Sequence, residues 1–251
     1  MSTPVRVAMW SGPRNLSTAL LRSWGNRDDT FVSDEPLYAH YLRVTGVDHP
    51  ARDAVLAAQD DDWRRVVAYL TGPVPHGRAV WYQKHMTHHI TDDVTLEWLD
   101  GLRNCFLIRA PAEVISSYAA VRAEPSLADL GLPQQWRLFS HVRRRTGTVP
   151  AVIDAADLLR DPPGVLAAVC AAVGVAFTGA MLSWPPGPRP TDGVWAPHWY
   201  AAVERSTGFA PYRLRDAAVP PRHGDLLAAA QDIYARLAVH RLHPVASRGP
   251  R

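Results

Sequence analysis

A cation and two hydroxyl side chains lie between an apolar run and a helical pattern near the start of the chain. The run at 5–10 is followed by the turn residues Ser11-Gly12-Pro13, then by Arg14 and by Ser17 and Thr18. The first N–H groups of a helix have no partners inside it, so a strand, a tight loop and a helix N-terminus together favour anion binding. Arg14 adds a planar cation, and the hydroxyls add further donors. This stretch predicts a site for a phosphate-like group.

Polar side chains also follow three other predicted strands. Asp34-Glu35 follows a strand at 30–33, Lys84 ends a strand at 79–84 with several histidines behind it, and Arg109 ends a strand at 105–109. Ligands of parallel sheets bind beyond the carboxyl ends of the strands, so we expect these groups to converge. Lys84 is the only lysine in a chain whose other basic residues are arginines. Its compact ammonium is therefore a candidate for a specific role.

The predicted elements alternate between strand and helix. A fifth strand is expected at 149–153, and helices are expected at about 15–25, 36–42, 52–70, 96–99, 111–121, 134–145, 163–173 and 225–240. This alternation favours a three-layer α/β/α fold with a mostly parallel central sheet. We expect one domain over residues 1–251, in which the Pro- and Trp-rich segment 183–223 covers the site and the tail 247–251 is loose.

Composition excludes several classes of function. The 251 residues carry a formal net charge of only +3, which does not indicate nucleic-acid binding. No apolar run approaches a membrane span, and the N-terminus lacks a secretory pattern. Cys105 and Cys170 lie in apolar segments without metal-like spacing, which is typical of buried thiols in a reducing compartment. We therefore expect a cytoplasmic protein with no nucleic-acid or membrane partner.

The loop lacks the residues with which a nucleoside-triphosphate P-loop binds phosphate and magnesium. That motif reads Gly-x-x-x-x-Gly-Lys-Ser/Thr. Counted from Gly12, Ser17 replaces the second Gly, Thr18 replaces the Lys, and Ala19 replaces the metal-binding hydroxyl. The fourth predicted strand ends in Arg109, where a magnesium-binding Asp would be expected. The sequence disfavours ATP chemistry and fits a less highly charged donor such as a phosphosulfate.

Residues 13–18 resemble the 5′-phosphosulfate loop of the sulfotransferase family, which uses 3′-phosphoadenosine-5′-phosphosulfate (PAPS). The family loop reads Pro-Lys/Arg-Ser-Gly-Thr/Ser-Thr after a strand. In Pro13-Arg14-Asn15-Leu16-Ser17-Thr18 the proline, the cation and both hydroxyls are in register, whereas the two middle residues depart from Ser-Gly. The resemblance is to a divergent, bacterial-type branch with a P-loop-like fold. It implies that residues 13–18 bind the phosphosulfate.

A second motif of the same family lies further along the chain. Sulfotransferases bind the 3′-phosphate with an Arg at a strand end and a Ser eight residues later, which here are Arg109 and Ser117. An arginine fork and a hydroxyl suit a phosphate dianion. Ser206 and Phe209 lie where family members often contribute a late loop to the nucleotide, and they are added as candidate contacts.

The resemblance also implies catalytic roles. Lys84 would stabilise charge on the leaving phosphate together with Arg14, and the base would be Glu35, His85 or His88. Each residue also has a structural interpretation: a surface cation for Lys84, a helix-start carboxylate for Glu35, and hydrogen-bonding loop residues for the histidines. A metal site formed by the histidines is a further, less favoured alternative.

The sequence therefore predicts a PAPS-dependent sulfotransferase that sulfates a hydroxyl or amine of a small-molecule acceptor without a metal and releases 3′-phosphoadenosine-5′-phosphate (PAP). Two other classes stay open. One is a nucleotide kinase or other phosphotransferase on the same architecture, and the other is a non-catalytic nucleotide-binding module. The acceptor's identity and a homodimeric state are also left open.

Overall fold

The computed structural model describes residues 3–119, 124–214 and 217–244. Its centre is a five-stranded parallel sheet with the strand order β2-β3-β1-β4-β5. The strands are Val5–Ser11 (β1), Thr30–Asp34 (β2), Val80–Met86 (β3), Arg103–Ile108 (β4) and Ala151–Asp154 (β5). They consist largely of apolar residues because both faces of the sheet are covered.

Helices connect the strands and cover the sheet. They are Ser17–Gly25 (α1), Tyr38–Thr45 (α2), Arg52–Ala58 (α3), Trp63–Thr71 (α4), Pro111–Ala119 (α5), Leu132–Thr146 (α6), Ala155–Arg160 (α7), Pro162–Val173 (α8), Ala196–Trp199 (α9), Ala201–Glu204 (α10) and Gly224–Ala238 (α11). The short segments Pro75–Gly77, Thr87–His89, Glu97–Gly101, Gly179–Leu182 and Pro221–His223 form single 3₁₀ turns. None of the helices in the described ranges is long and apolar enough to cross a membrane.

Two cores lie on opposite faces of the sheet. Because successive side chains of a strand point to opposite faces, Met9 of β1 packs on the side of α1 and α8, and Trp10 packs on the side of α4, α6 and α11. Cys105 and Cys170 belong to the first of these cores as free thiols. The predicted three-layer α/β fold with a parallel sheet is confirmed.

The structure corrects two element boundaries that affect the site. The helix expected at 52–70 is interrupted: α3 ends at Ala58, and Asp62 begins α4 by accepting a hydrogen bond from the backbone N–H of Arg64. Strand β3 continues to Met86, so His85 is a strand residue rather than a loop residue. The expected helix end at 121 and the tail 247–251 lie outside the described residues.

The segment from Ser183 to Phe209 is anchored to the rest of the fold. Its ends meet where Trp184 N–H donates to the carbonyl of Thr207 at 3.0 Å. In its middle, Asp192 forms a bidentate salt bridge with Arg22 of α1, in which the two side chains are 5 % and 2 % exposed. Trp195 is buried in a third core with Tyr38 of α2. The segment is therefore held firmly beside the carboxyl edge of the sheet.

Candidate active site

The ammonium group of Lys84 lies at the carboxyl edge of the sheet and is bonded on three sides. Asp34 and Lys84 are paired in register on the parallel strands β2 and β3, which places their side chains on the same face. Lys84 Nζ donates to Asp34 Oδ1 at 2.8 Å, to Glu35 Oε1 at 2.5 Å and to the hydroxyl of Tyr200 at 2.7 Å. The Lys84 side chain is only 1 % exposed. The interpretation of Lys84 as a surface cation is therefore wrong.

Tyr200 completes the surroundings of Lys84 from a distant part of the chain. Its hydroxyl donates to Asp34 Oδ2 at 2.6 Å and accepts from the indole N–H of Trp195 at 3.2 Å. Asp34 was expected near the site from its place at a strand end, although without a role of its own. Tyr200 was not among the expected site residues, because no local pattern connects it with a lysine 116 residues away.

The charges of this cluster perturb one another. Burial alone lowers the pKa of the Lys84 ammonium, but Asp34 and Glu35 together outweigh burial and hold that pKa well above its usual value. Burial raises the pKa of the Glu35 carboxyl; Lys84 lowers it and Asp34 raises it, and the result lies above the ordinary value. The cluster therefore pairs a permanent cation with a carboxylate that is more basic than usual.

Glu35 is held in a backbone conformation that side-chain-bearing residues rarely adopt, with φ of 43°. Its N–H donates to the carbonyl of Lys84 at 2.9 Å, and its own carbonyl accepts from Tyr38 N–H at 3.1 Å and from Gln59 Nε2 at 3.2 Å. These bonds fix the turn between β2 and α2. Strain of this kind accumulates at functional positions.

The predicted anion loop joins β1 to α1. Asn15 fastens it to β4, because its Nδ2 donates to the carbonyl of Leu107 at 3.2 Å while its Oδ1 accepts from the N–H of Leu16 at 2.8 Å. Leu16 gives α1 no side-chain cap, and Ser17 and Thr18 form the first turn of the helix. The helix N-terminus thus offers N–H and hydroxyl donors at the loop, as an anion site requires.

Arg14, Arg109 and Ser117 are connected in an unexpected way. Arg14 Nε donates to Ser117 Oγ at 2.9 Å, and the carbonyl of Arg14 accepts from Arg109 Nη1 at 2.8 Å. The other donors of Arg109 bind Glu113 Oε2, at 2.9 Å from Nε and 2.7 Å from Nη2. In this conformation Arg109 is thus bound to Glu113 and to the carbonyl of Arg14, while Ser117 accepts from the side chain of Arg14.

Two cavities meet at the loop. The larger, of about 1020 Å³, is lined at one end by Asn15, Leu16 and Thr18 and further along by Arg109 and Glu113. The smaller, of about 570 Å³, is lined by the loop residues Pro13, Arg14, Asn15, Ser17 and Thr18 and by Glu35, Tyr38, Lys84, His88, His89, Tyr118 and Trp199, among others. Asn15, Thr18 and Trp199 border both cavities. The structure thus brings together the loop, Lys84, Glu35 and His88.

Ser206 and Phe209 line the larger cavity from the other side. Ser206 Oγ accepts from Trp184 Nε1 at 3.0 Å, and the ring of Phe209 meets Trp184 edge to face at 5.1 Å. Both residues are therefore positioned by the Pro- and Trp-rich segment that the sequence analysis expected to cover the site.

The structure separates His85 from the site. As the neighbour of Lys84 in β3, it points to the opposite face of the sheet, where its ring stacks on Trp10 at 4.3 Å. Its Nε2 lies 3.3 Å from Gln83 Oε1, and burial lowers its pKa to about 3. It lines neither cavity. The position of His85 therefore argues against it as the base.

His88 and His89 lie in the wall of the smaller cavity. Burial, with a smaller effect of His49, lowers the pKa of His88 to about 3. Burial also holds the pKa of His89 well below its usual value, and its ring stacks on Tyr38 at 4.6 Å, with Nε2 4.0 Å from Glu35 Oε2. Burial therefore favours the neutral form of both rings. Within the described ranges no group of three or more His, Cys, Asp or Glu side chains is arranged to hold a metal ion.

Known proteins resemble this chain along nearly its whole length. A family model described as "Sulfotransferase domain" matches residues 5–240. Two curated proteins of Arabidopsis thaliana, named branched-chain-amino-acid aminotransferase-like protein 1 and 2, are 38 % identical over 246 residues and 36 % identical over 239 residues. These alignments cover 97 % and 94 % of this chain but 43 % and 42 % of the relatives, so the chain spans less than half of their length.

Solved structures show the same fold. The sulfotransferase domain of the Synechococcus PCC 7002 olefin synthase aligns with a TM-score of 0.55 at 17 % identity, covering 95 % of this chain and 96 % of that one. The sulfotransferase domain of the curacin biosynthetic pathway gives a TM-score of 0.51 at 18 % identity, with coverage of 98 % and 95 %. A sulfotransferase from Alicyclobacillus acidocaldarius gives 0.52 at 14 % identity, with coverage of 97 % and 98 %. These likenesses show the fold, and the family model that matches residues 5–240 shows that the chain belongs to the sulfotransferase family.

Proposed function

We propose that this chain transfers a sulfuryl group from PAPS to a hydroxyl or amine of a small-molecule acceptor. The observation that carries the proposal is the junction of the two cavities, where the anion loop of residues 13–18 faces Lys84 and Glu35. One cavity is large enough for a nucleotide, and the other falls within the usual size of a small-molecule pocket.

The loop end of the larger cavity fits the phosphosulfate. The uncapped N-terminus of α1 supplies N–H donors, and Thr18 adds a hydroxyl. The far end of the cavity has cations, but Arg109 is already paired with Glu113. Arg109 therefore has to share or exchange this carboxylate to hold a 3′-phosphate. Arg160, Arg213 and Arg241 also line this cavity.

The side chains around the junction divide the work of the transfer. PAPS supplies a sulfuryl group activated by its bond to phosphate. Glu35 takes the proton of the acceptor O–H or N–H, so that the acceptor atom forms its bond to sulfur as the bond from sulfur to the phosphate oxygen breaks. The electron pair of the broken bond stays on the phosphate, where Lys84 and Arg14 stabilise the charge. Glu35 suits this role better than His88, because a carboxyl with a raised pKa is a stronger base than an imidazole with a pKa of about 3.

The smaller cavity is the proposed acceptor site. Its wall combines aromatic rings with a few convergent polar groups, a composition typical of sites for small organic ligands. Segment 183–223, which contributes Trp199 and Tyr200 to this wall, is proposed to cover the site within a single domain. The free thiols agree with a reducing, cytoplasmic setting.

Titration calorimetry with PAP tests the donor. We expect the wild-type chain to bind PAP without magnesium and Thr18→Ala to bind it about tenfold more weakly, a loss of the size expected for one charge-assisted hydrogen bond. Arg144→Ala on the exposed side of α6 is the matched control and should bind normally. Absence of PAP binding, or magnesium-dependent binding of ATP instead, would refute the proposal. Binding of PAP with no turnover of any acceptor would identify a binding module rather than an enzyme.

A further inference from the structure

The hydroxyl of Tyr200 has no freedom of orientation. It accepts two hydrogen bonds, from Lys84 Nζ at 2.7 Å and from Trp195 Nε1 at 3.2 Å. Its single proton is therefore directed to Asp34 Oδ2, which lies 2.6 Å away. The Tyr200 residue is 4 % exposed. Its donor and acceptor roles are thus fixed by its neighbours rather than by solvent.

Lys84, Asp34 and Tyr200 form a closed ring of hydrogen bonds. Lys84 donates to both of the others, and Tyr200 donates to the remaining oxygen of Asp34. Glu35 stands outside this ring. The carboxylate of Glu35 is bonded to Lys84 at 2.5 Å, lies 4.0 Å from His89 Nε2, and borders the smaller cavity.

All three N–H groups of Lys84 are engaged, so the lysine must release one partner before it can bind an anion at the junction. Releasing Asp34 or Tyr200 would open the buried ring and remove one of the two contacts that fix the position of Lys84 within it. Releasing Glu35 breaks one bond at the edge of a cavity. The Glu35 contact is therefore the one that is most easily exchanged.

Building on the proposed function, we propose that Tyr200 is a positioning residue of the transfer reaction. With Asp34 it holds Lys84 in place, so that an arriving anion displaces Glu35 from Lys84 and frees that carboxylate to accept the acceptor's proton. Segment 183–209 thereby becomes part of the reaction centre as well as its cover.

The single lysine of the chain makes this proposal directly measurable. With ¹⁵N-labelled lysine the protein gives one Nζ signal, whose pH titration and amine-acylation rate report on Lys84 alone. In Tyr200→Phe the ammonium loses an acceptor, so we expect its titration to move down by about one pH unit and its acylation to rise about tenfold at alkaline pH. Tyr69→Phe, which changes an exposed tyrosine on α4, is the matched control and should match the wild type.

Kinetics separate positioning from a merely structural role. Tyr200→Phe should lower kcat about tenfold while PAP affinity changes less than about threefold, because the change affects alignment at Lys84 rather than the loop. Asp34→Asn should likewise lower kcat more than it lowers PAP affinity. Since both residues belong to one ring, the double variant should lose little more than the more damaging single variant.

The outcomes are decisive even if one variant folds poorly. Wild-type Nζ titration and wild-type kcat in either Tyr200→Phe or Asp34→Asn, with normal thermal unfolding, would overturn the positioning role. Additive losses in the double variant would also overturn it. Because the Nζ measurement needs neither donor nor acceptor, its result is independent of whether PAPS is the donor.

Discussion

Arg22 and Asp192 form a bidentate salt bridge between α1 and the Pro- and Trp-rich segment, with side chains only 2 % and 5 % exposed. This pair links the helix that begins at the anion loop to the segment that carries Tyr200. Breaking it would leave one charge buried without its partner, which is among the most destabilising of single changes.

We therefore expect Asp192→Ala to lower the free energy of unfolding by about 3–5 kcal/mol, the usual cost of a buried charge left unpaired. Urea denaturation followed by circular dichroism measures this. Asp60→Ala, which breaks the exposed pair with Arg65, is the control and should leave the midpoint almost unchanged. An equally small effect at Asp192 would mean that the pair is open to solvent.

Lys84→Ala should lower kcat strongly and leave donor binding nearly unchanged. In the proposed reaction the lysine stabilises charge that develops on the leaving phosphate, so we expect kcat to fall by about 10²–10³, as for the loss of one preorganised donor. PAP affinity should stay within about threefold, because the loop and α1 supply the other contacts. Measuring kcat by steady-state kinetics and PAP affinity by calorimetry on the same variant checks that the two quantities change differently. A large loss of PAP affinity with little loss of kcat would reverse the assignment.

The rate should depend on the protonation of Glu35. Its raised pKa means that activity is low where the carboxyl is protonated and rises with pH through a midpoint above the ordinary value for Glu. Glu35→Gln should remove this rise from the pH–rate profile, which is its acid limb. It should also lower kcat by about 10²–10⁴, the usual contribution of a general base.

His88→Asn serves as the comparison in the same pH–rate profile. The low pKa of His88 keeps its ring neutral throughout the working range, so this change should leave the midpoint in place. If His88→Asn abolishes the acid limb and Glu35→Gln does not, His88 is the base.

Acid should destabilise the fold through His85. Its pKa falls from 6.5 to about 3 on folding, so the unfolded chain binds a proton that the folded chain does not between these values. Stability is thus fully present above about pH 6.5 and declines as pH falls towards 3, by about 1.4 kcal/mol per pH unit for this one group. In His85→Phe the slope of the unfolding free energy against pH should decrease by the contribution of one proton, about 1.4 kcal/mol per pH unit. An unchanged slope would mean that His85 is protonated in the folded protein.

The sequence was a good guide wherever the information was local. The five strands and the helices α1, α5, α6, α8 and α11 were predicted close to their positions because apolar runs and turn residues mark them. One helix was expected over 52–70, but Asp62 serves as a helix N-cap, which divides the expected helix in two.

Features of the site that depend on strand register or on contacts between distant residues could not be predicted from the sequence. The assignment of His85 failed because β3 ends two residues later than expected, and in a strand this decides which face a side chain takes. The pairing of Arg14 with Ser117 joins residues 103 positions apart, and that of Lys84 with Tyr200 joins residues 116 apart. No periodicity encodes such contacts, because they arise only when the chain has folded.

The two cavities share part of their lining, which has consequences for the order in which ligands bind and react. Asn15, Thr18 and Trp199 border both spaces, and each space also has a lining of its own. In the proposed reaction, donor and acceptor can therefore be bound at the same time, in contact at one edge. A double-reciprocal plot of initial rates should show intersecting lines, the pattern of a ternary complex. Parallel lines would mean that the sulfuryl group is first transferred to a side chain of the protein.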